Sequence, residues 1–368
     1  MTPRRRATNR RAVGVLLRAT PATLALCAMA ACPSSESDTD ASSTAPPLVV
    51  YVSADGALAR GVLDAFTADT GVGVRMVGDT EAFKSTGLAR RIRAEQDRPV
   101  ADVFWSSEVA QVAMLADEGL LHPVRTQVTE AWPPQWRDAD HRWHGFSPRP
   151  RVAVWDPRRL RDVQPPTTWH EAVDGRFGGE VVMADPRFGT TGGHLASMRQ
   201  WWFAQGHPER WASMLQAMRE GAVQVLPGGN AATVDAVTRG EAMLGMTDLD
   251  DALAAQQRGS TIEVALLRHE QWPGGGPMLT PNAVAMVHGG PNGDDAIRLV
   301  EWLLDAKCAR LLAASASANM PLQPDVQEDF PSLVVEDSLQ VDHAAAAKHY
   351  EVTLWEVLDA LRIAGEAP

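Results

Sequence analysis

Leu48-Val-Val-Tyr-Val-Ser-Ala-Asp55 is the stretch that decides the fold. Its first five residues are aliphatic or aromatic without a polar break, which is typical of a strand buried on both faces of a parallel sheet. The next three include helix-capping residues, and Leu58, Val62 and Phe66 then recur at helical spacing. The stretch therefore predicts a buried strand followed by an amphipathic helix, the repeating unit of an α/β fold.

The same alternation continues along the chain. The next strands are predicted at 74–77 and 101–105, and the next helices at 83–96 and 108–118. Later strands are predicted at 180–184, 222–226, 243–246 and 261–267, and later helices at 169–174, 193–205, 208–220, after Asn230, and at 248–258. Alternation of this kind favours an α/β sheet with right-handed crossovers.

Two extended segments interrupt this rhythm, at 146–155 and 280–287. The first is punctuated by prolines, and the second follows three consecutive glycines. We expect both to cross between two lobes. The segments 294–312 and 343–363 have a helical pattern and are expected to return to the first lobe.

The first 31 residues carry the pattern of an export signal. Six arginines and no acid precede an apolar run, 19–31, that is shorter than the roughly 20 residues needed to span a bilayer. Met29-Ala-Ala-Cys32 resembles a bacterial lipobox, which predicts acylation of Cys32; an ordinary cleaved signal peptide is the alternative. Residues 32–47 offer little to bury, so we expect a disordered tether there.

Charge and cysteine content exclude several classes of protein. Without the six signal arginines, 28 basic residues face 46 acidic ones, and a formal charge of −18 argues against a nucleic-acid partner. Cys27 and Cys32 belong to the signal region, so Cys308 alone remains in the body and no disulfide framework forms. We expect an exported lipoprotein facing the periplasm or the cell exterior, held to the membrane by its lipid only.

Five short polar loops follow predicted strands and precede predicted helices. Ligands of open α/β sheets bind beyond the carboxyl ends of the strands, where helix N-termini offer free N–H groups. The sequence therefore predicts a ligand cleft between the lobes. The loops are 53–55, 78–81, 105–108, 188–194 and 246–250.

Gly189-Thr-Thr-Gly-Gly193 is the most specific of these loops. Its glycines let the backbone approach a ligand, its threonines offer hydroxyl donors, and the dipole of the next helix favours an anion. A tight turn that merely begins a helix is the alternative. The loop is not a P-loop, because His194 stands where the lysine is required. No Gly-x-Ser-x-Gly or His-Glu-x-x-His motif occurs either, so we expect no enzyme.

Several motifs resemble the extracellular solute-binding proteins of ABC importers, in the branch usually labelled ferric-iron-binding. The likeness runs from about Leu48 to Leu312. The motifs that carry it are Val50-Tyr-Val-Ser-Ala-Asp55, Asp79-Thr-Glu-Ala82, Ala101-Asp-Val-Phe-Trp-Ser106, Phe188-Gly-Thr-Thr191, Val234-Asp-Ala-Val-Thr-Arg-Gly-Glu241 and Gly245-Met-Thr-Asp-Leu-Asp-Asp-Ala252.

This resemblance implies a two-lobed type II periplasmic-binding-protein fold that closes on a solute by hinge bending. Residues 48–148 with 284–368 would form lobe I, and 149–283 lobe II, after a signal at 1–31 and a tether at 32–47. The implied partners are a small ligand and the permease and ATPase subunits of an importer, with the protein itself a monomer. A sensory binding lipoprotein that contacts a receptor is the alternative of another class.

The ligand class is left open between iron and an organic solute. Ferric proteins of this family generally use two adjacent tyrosines, since Fe³⁺ favours anionic oxygen. This chain has only Tyr51 and Tyr350, which are far apart in sequence. A ferric site without tyrosine would draw on Glu81, Glu108, His194, Asp248 and Asp250.

The residues better suit a small organic anion, such as a phosphorylated or phosphonate compound, and no resident metal or cofactor is expected. The loop 189–193 would hold the anionic end, while Asp248 and Asp250 accept from hydroxyl or amino groups at the other. Arg149 and Arg151 would supply charge-assisted contacts. The full set of predicted ligand residues is Ser53, Asp55, Asp79, Thr80, Glu81, Trp105, Ser106, Ser107, Glu108, Arg151, Gly189, Thr190, Thr191, Gly192, His194, Asn230, Asp248 and Asp250.

Overall fold

One mixed sheet organises the computed structural model, which describes residues 46–79, 86–160 and 163–363. The predicted signal, the acylation at Cys32, most of the tether, and Thr80 and Glu81 lie outside these residues. The strands are β1 (Leu48–Ser53), β2 (Val74–Gly78), β3 (Val103–Ser106), β4 (Leu121–His122), β5 (His144–Trp155), β6 (Val181–Ala184), β7 (Gln224–Leu226), β8 (Leu244–Asp248), β9 (Glu263–Leu266) and β10 (Leu279–Val287).

The sheet has two parallel halves joined by an antiparallel pair. Its order is β2-β1-β3-β10-β5-β8-β6-β7, with β4 beside β10 and β9 beside β5. Pairs β1–β2 and β1–β3 are parallel in the first half, as β6–β7 and β6–β8 are in the second. Strands β5 and β10 run antiparallel to each other and to their neighbours.

Strand β5 changes partners part-way along its length. Residues up to Pro150 pair with β10, whereas Arg151 and the four residues after it pair with β8. On its other edge, β5 pairs with β9 from Val152 to Trp155. Strand β5 therefore pairs with strands of both halves, as expected of a crossing segment. Among the described residues, β10 pairs with β3, β4 and the first part of β5, so its crossing stays a prediction.

Helices cover both faces of the sheet. They are α1 (Gly56–Thr70), α2 (Thr86–Ala94), α3 (Val109–Asp117), α4 (Gln127–Ala131), α5 (Trp169–Val173), α6 (Thr190–Ala204), α7 (Pro208–Glu220), α8 (Asn230–Thr238), α9 (Leu249–Gln257), α10 (Gly293–Leu304), α11 (Ala306–Ala314), α12 (Pro324–Asp329), α13 (His343–Lys348) and α14 (Tyr350–Ala360). Short 3₁₀ helices lie at Pro134–Trp136 and Pro331–Leu333. None of the described helices has the length and apolar character needed to cross a membrane.

The opening strand is buried on both faces, as its composition predicts. Leu48, Val50 and Val52 pack with α1, α10 and α11, while Val49 and Tyr51 pack with α2 and α3 on the opposite face. Alternate residues of a strand point to opposite faces, so an unbroken apolar run needs a cover on each side. Helices α1, α10 and α11 provide one cover, and α2 and α3 provide the other.

The C-terminal helices touch both halves of the molecule. Helix α13 packs against α3 and also against α6, and α14 packs on α6 and α7. The sequence analysis expects this segment to return to the first lobe, and the contact of α13 with α3 agrees with that. The segment also packs on the second half, because Val357 of α14 is part of the apolar cluster built around β6 and α6.

Candidate functional site

A cavity of about 600 Å³ opens where the two halves of the sheet meet. Its walls come from the chain just after β1, β3, β6, β7 and β8, and from β5 and β10. These are carboxyl ends of strands, the expected ligand position in an α/β sheet. The predicted ligand residues that line it are Asp55, Ser107, Gly189, Thr190, Asn230, Asp248 and Asp250.

Three helices begin at this cavity without a side-chain cap. The N-cap residues of α6, α8 and α9 are Gly189, Gly229 and Asp248. At none of the three does an N-cap side chain accept a hydrogen bond from the backbone N–H groups of its helix. By contrast, Asp55 caps α1 by accepting from the Leu58 N–H at 2.8 Å. The first N–H groups of an α-helix lack intrahelical partners and favour an anion.

The floor of the cavity carries buried opposite charges. Arg149 donates to the Asp248 carboxylate at 3.0 and 3.2 Å, and Arg151 donates to its other oxygen at 2.8 Å. Arg151 is fully buried and Asp248 almost so. One carboxylate thus sits between two guanidinium groups, and breaking such a buried pair leaves an uncompensated charge.

Polar neighbours complete this network. The Thr190 hydroxyl donates to Asp248 at 2.8 Å and accepts from Arg151 at 3.1 Å. The Asn230 amide donates to both Asp248 and Thr190 at 2.9 Å, and its oxygen accepts from Arg151. The network joins β5, α6, α8 and β8, so it fixes two of the uncapped helix ends relative to each other.

The network keeps its charges at neutral pH. Burial raises the pKa of Asp248, but the nearby Arg149 and Arg151 outweigh burial and the net pKa falls below the usual value. Burial likewise lowers the pKa of Arg149, and the carboxylates of Asp248, Asp250 and Asp251 reverse this into a net rise. The floor is therefore ionised throughout the physiological range.

Other predicted ligand residues are held away from the cavity. Trp105 is buried and donates to the Asn282 side chain at 3.2 Å. Ser53 donates to Asp79 at 2.9 Å, and Ser106 to the Glu108 carbonyl oxygen at 2.8 Å. Arg151 lies beneath the lining, where it also reaches the Thr191 hydroxyl at 3.4 Å. These side chains support the walls and do not face the solute space of this structure.

Glu108 caps a helix instead of facing the cavity. Its carboxylate accepts from the Ala110 and Gln111 N–H groups at 2.8 and 2.9 Å. Burial raises its pKa to about 7, against the lowering effect of those two hydrogen bonds. A Cβ at Gly193 would lie 2.3 Å from the Glu108 Oε1 atom. The glycine therefore permits α6 to approach α3.

Gly192 has the same kind of role. A Cβ there would lie 2.2 Å from the Pro186 carbonyl oxygen and 2.5 Å from the Tyr350 hydroxyl. The sequence analysis assigns these glycines to close approach by a ligand. In the structure the backbone at 192 and 193 approaches other parts of the protein, and only Gly189 and Thr190 of this loop line the cavity.

His194 belongs to a buried histidine pair. Its Nε2 lies 3.0 Å from Nε2 of His269, whose Nδ1 bonds the Gly276 carbonyl oxygen at 2.9 Å. The His194 ring packs edge-to-face on Trp169 with centroids 4.7 Å apart. Burial lowers the pKa of His194 well below its usual value. This histidine is a structural group of the second half of the sheet.

The sequence analysis missed several lining residues. Asp251 lies directly after the predicted loop 246–250, and Asn282 is a polar residue within β10. The stretch 316–319 follows α11 and consists of small and polar residues. Each of these places is recognisable in the sequence as polar or small residues next to a strand or helix. The neighbouring residues do not show that the three places meet around one cavity.

Comparison with known proteins then places the chain in a family. A family model described as bacterial extracellular solute-binding protein matches residues 98–335, more than half of the chain. The chain belongs to the bacterial extracellular solute-binding protein family. This solute-binding protein is therefore a transport protein of the ABC-importer kind and not an enzyme, as its motifs predict.

The names of two relatives illustrate the range of solutes in the family. Iron uptake protein A1 of Synechocystis is 24% identical over 273 residues, 71% of this chain and 73% of its own. A putative 2-aminoethylphosphonate-binding periplasmic protein of Salmonella typhimurium is 24% identical over 269 residues, 72% of this chain and 73% of its own.

Solved structures confirm the two-lobed fold of the solute-binding protein. The apo ferric ion-binding protein A of Pasteurella haemolytica has a TM-score of 0.73 at 19% identity, covering 86% of this chain and 98% of that one. AfuA of Actinobacillus pleuropneumoniae, with fructose-6-phosphate bound, has a TM-score of 0.71 at 18% identity, covering 86% and 99%.

The ferric ligand set considered from the sequence does not assemble among the described residues. Glu108 caps α3, His194 pairs with His269, and Asp248 is held by two arginines. Glu81 lies outside the described residues. The carboxylates that do converge are Asp248, Asp250 and Asp251, whose oxygens lie within 4.8 Å of one another. Arg149 lies against the first two of them, 3.0 and 3.4 Å away.

Proposed function

We propose that this solute-binding protein captures a small organic anion, a phosphorylated or phosphonate compound with hydroxyl or amino groups at its far end. The observation that carries the proposal is the convergence of three uncapped helix N-termini, those of α6, α8 and α9, on one cavity. Backbone N–H groups there can bind phosphate oxygens without any added cation.

The charges of the cavity limit which groups the ligand can carry besides its anionic end. Arg149 and Arg151 both pair with Asp248, and Arg149 also lies 3.4 Å from Asp250, so the helix ends supply most of the attraction for an anion. Asp250 and Asp251 lie in the first turn of α9, beside the same cavity. Carboxylates in that position favour a hydroxyl or ammonium group on the guest and oppose a second negative charge.

The expected lobe boundaries fit this use of the cavity. The boundary between lobe I at 48–148 with 284–368 and lobe II at 149–283 lies close to the point where β5 exchanges β10 for β8, between Pro150 and Arg151. Arg149 stands at that division and donates to the Ser107 carbonyl oxygen as well as to Asp248. Closure of the lobes on the guest would then present it to a permease, with a lipid at Cys32 and the tether keeping the protein nearby.

A ferric cargo is the second candidate, favoured by the three converging carboxylates and by the iron uptake relative. Two observations on the described residues oppose it. Tyr51 is buried in β1 and donates to Glu95, and Tyr350 is buried beside Pro186, so neither phenol reaches the cavity. Arg149 and Arg151 also occupy the carboxylate that a cation would need.

A thermal-shift panel tests the ligand class. Fructose 6-phosphate, 2-aminoethylphosphonate, inorganic phosphate and ferric citrate are titrated against the purified protein. We expect saturable stabilisation by at least one organic anion, because a ligand that binds only the folded state raises its stability. Stabilisation by ferric citrate with every organic anion silent would contradict the proposal.

A matched pair of variants tests the site itself. Ala231 is exposed, lines the cavity and lies in the first turn of α8. Ala231→Glu places a negative charge at this helix end, whereas Ala231→Gln adds the same bulk without charge. We expect the glutamate variant to bind the organic anion at least about tenfold more weakly than the glutamine variant. Equal affinities, or tighter binding in the glutamate variant as a ferric cargo predicts, would overturn the assignment.

A further inference from the structure

A second cavity, of about 310 Å³, lies between the 3₁₀ helix Pro134–Trp136 and the chain after α11. It shares no lining residue with the solute cavity. Its size is at the lower end of the roughly 300–1,000 Å³ usual for small-molecule sites. The lining residues used below are Trp136, Met320, Val334, Glu336, Leu339 and His343.

His343 is the most buried polar residue of this cavity, which is also lined by Gln135, Gln327, Glu336, Ser338 and Gln340. Its side chain is buried, and its ring lies 6.0 Å from Trp136 and 6.5 Å from Trp143 between centroids. Its Nδ1 has no hydrogen-bond partner, and among the described residues no group bonds Nε2 either. Nδ1 is enclosed by the protein, whereas Nε2 is not among the fully enclosed atoms. Because polar atoms of buried side chains are nearly always paired, Nε2 is the atom that a partner from outside the chain would bond.

The chemistry of the walls restricts that partner. Trp136, Met320 and Leu339 provide apolar surface. The lining includes no lysine or arginine, and its one carboxylate, Glu336, is exposed. Burial lowers the pKa of His343 to about 4, so the ring is neutral at pH 7 and offers one donor and one acceptor. An anion would find no counter-charge.

We propose that this cavity is a second binding site, which takes a compact uncharged molecule with a ring or branched aliphatic body and one hydroxyl or amide group. The body packs between Trp136 and Leu339, and the polar group bonds His343. The site shares no lining residue with the solute cavity, and the proposal does not rest on which solute binds there.

The walls of the second cavity are attached to the chain beside the crossing strands. The Met320 N–H donates to the Pro148 carbonyl oxygen at 2.8 Å, and the Leu339 N–H to that of Pro277 at 2.8 Å. A Cβ on Gly276 would lie 1.4 Å from the Asp337 carbonyl oxygen, so this wall is tightly apposed to the second half of the molecule. An occupant therefore binds only the folded chain and stabilises it.

Titration with 4-fluorophenol, followed by its fluorine NMR signal, tests the proposal on the whole protein. We expect saturable binding with a dissociation constant on the order of 1 mM, as suits so small a probe. His343→Phe keeps the ring and removes both nitrogens, and it should weaken binding about tenfold. Val334→Trp fills the cavity from its partly exposed wall and should abolish binding.

The control and the adverse outcomes are clear-cut. His288→Phe changes an exposed histidine outside both cavities and should leave the affinity unchanged. Non-saturable binding to the natural chain would overturn the proposal. The proposal would also be overturned if Val334→Trp retained a folded spectrum and bound the probe as tightly as the natural chain, because the probe would then lie elsewhere. If His343→Phe bound the probe as tightly as the natural chain, the proposed hydrogen bond to His343 would be wrong.

Discussion

Glu108 shows how one side chain can look functional in sequence and act structurally. It follows a strand and precedes a helix, the position of a ligand residue in this fold. In the structure its two oxygens cap α3, and its side chain is buried against Gly193 of α6. Folding changes the pKa of a carboxyl group in this position. The change can be measured through the pH dependence of the free energy of unfolding.

We predict that Glu108→Gln makes stability rise more steeply with pH between about pH 4.5 and 7. Folding raises the pKa of Glu108 from 4.5 to about 7. The folded protein therefore keeps a proton that the unfolded chain releases in this window, so the contribution of Glu108 to stability falls as the pH rises, opposite to that of the buried histidines. The loss amounts to roughly 3 kcal/mol in the natural protein, and the glutamine variant lacks it. Urea unfolding at pH 5 and pH 8 measures the difference.

Glu351→Gln is the control for that comparison, because Glu351 is exposed on α14. Its free energy of unfolding should follow the natural protein at both pH values. Parallel pH profiles for Glu108→Gln and the natural protein would mean that the buried carboxyl does not titrate in this range.

At the scale of the element, α6 is placed by its glycines. Its first turn contributes Thr190 to the cavity, while Gly192 and Gly193 face Tyr350 and Glu108. The absence of side chains lets α6 lie close to the N-cap of α3 and to the first residue of α14, and this closeness positions its uncapped end. A larger residue at either glycine displaces the helix or its neighbour.

We predict that Gly192→Ala lowers the free energy of unfolding by about 1–3 kcal/mol. The new methyl group would lie 2.2 Å from the Pro186 carbonyl oxygen, a backbone atom that cannot rotate away. Gly61→Ala in α1 is the matched control, since no atom lies within 4 Å of its added Cβ. That control should gain roughly 0.5–1 kcal/mol from helix propensity. Equal effects of the two substitutions in urea unfolding would show that packing does not constrain Gly192.

At the scale of the whole molecule, several histidines are buried in the neutral form. Burial lowers the pKa of His144 to about 3 and that of both His269 and His343 to about 4. The pKa of His194 also lies well below 6.5 for the same reason. They occupy both halves of the sheet and the C-terminal segment, so their titration affects the entire fold.

We predict that the protein loses stability steeply as the pH falls below 6.5. The unfolded histidines take up protons there while the folded ones do not, so each costs about 1.4 kcal/mol per pH unit down to its folded pKa. The unfolding midpoint in urea should fall strongly from pH 7 to pH 5. His144→Phe should reduce this slope and the proton uptake on unfolding, whereas His288→Phe should not. A midpoint independent of pH in this range would refute the prediction.

Much of the fold follows from local pattern. The strand at 48–52 and the helix at 208–220 can be read from side-chain periodicity, because each segment needs only its own apolar face to be defined. The crossing at 146–155 is likewise visible as an extended, proline-marked run. The packing of α14 on α6 and α7 was not predictable, since an apolar helix face fits either half of the molecule.

The candidate site divides in the same way. The loop after β8 and the glycine-rich loop before α6 are recognisable because a strand, small residues and a helix are adjacent in the chain. The direction of the side chains in those loops depends on residues that are distant in the chain. Arg151 reaches Asp248, 97 residues away, and His194 reaches His269, 75 residues away.

The sequence by itself determined the α/β architecture and the positions where ligand loops arise, because those depend on neighbouring residues and on the order of strands and helices. Only the tertiary structure decided that Trp105, Glu108 and His194 support the walls while Asp251, Asn282 and the stretch 316–319 line them. Side-chain direction depends on partners that are distant in the chain, and the order of residues does not encode those partners locally.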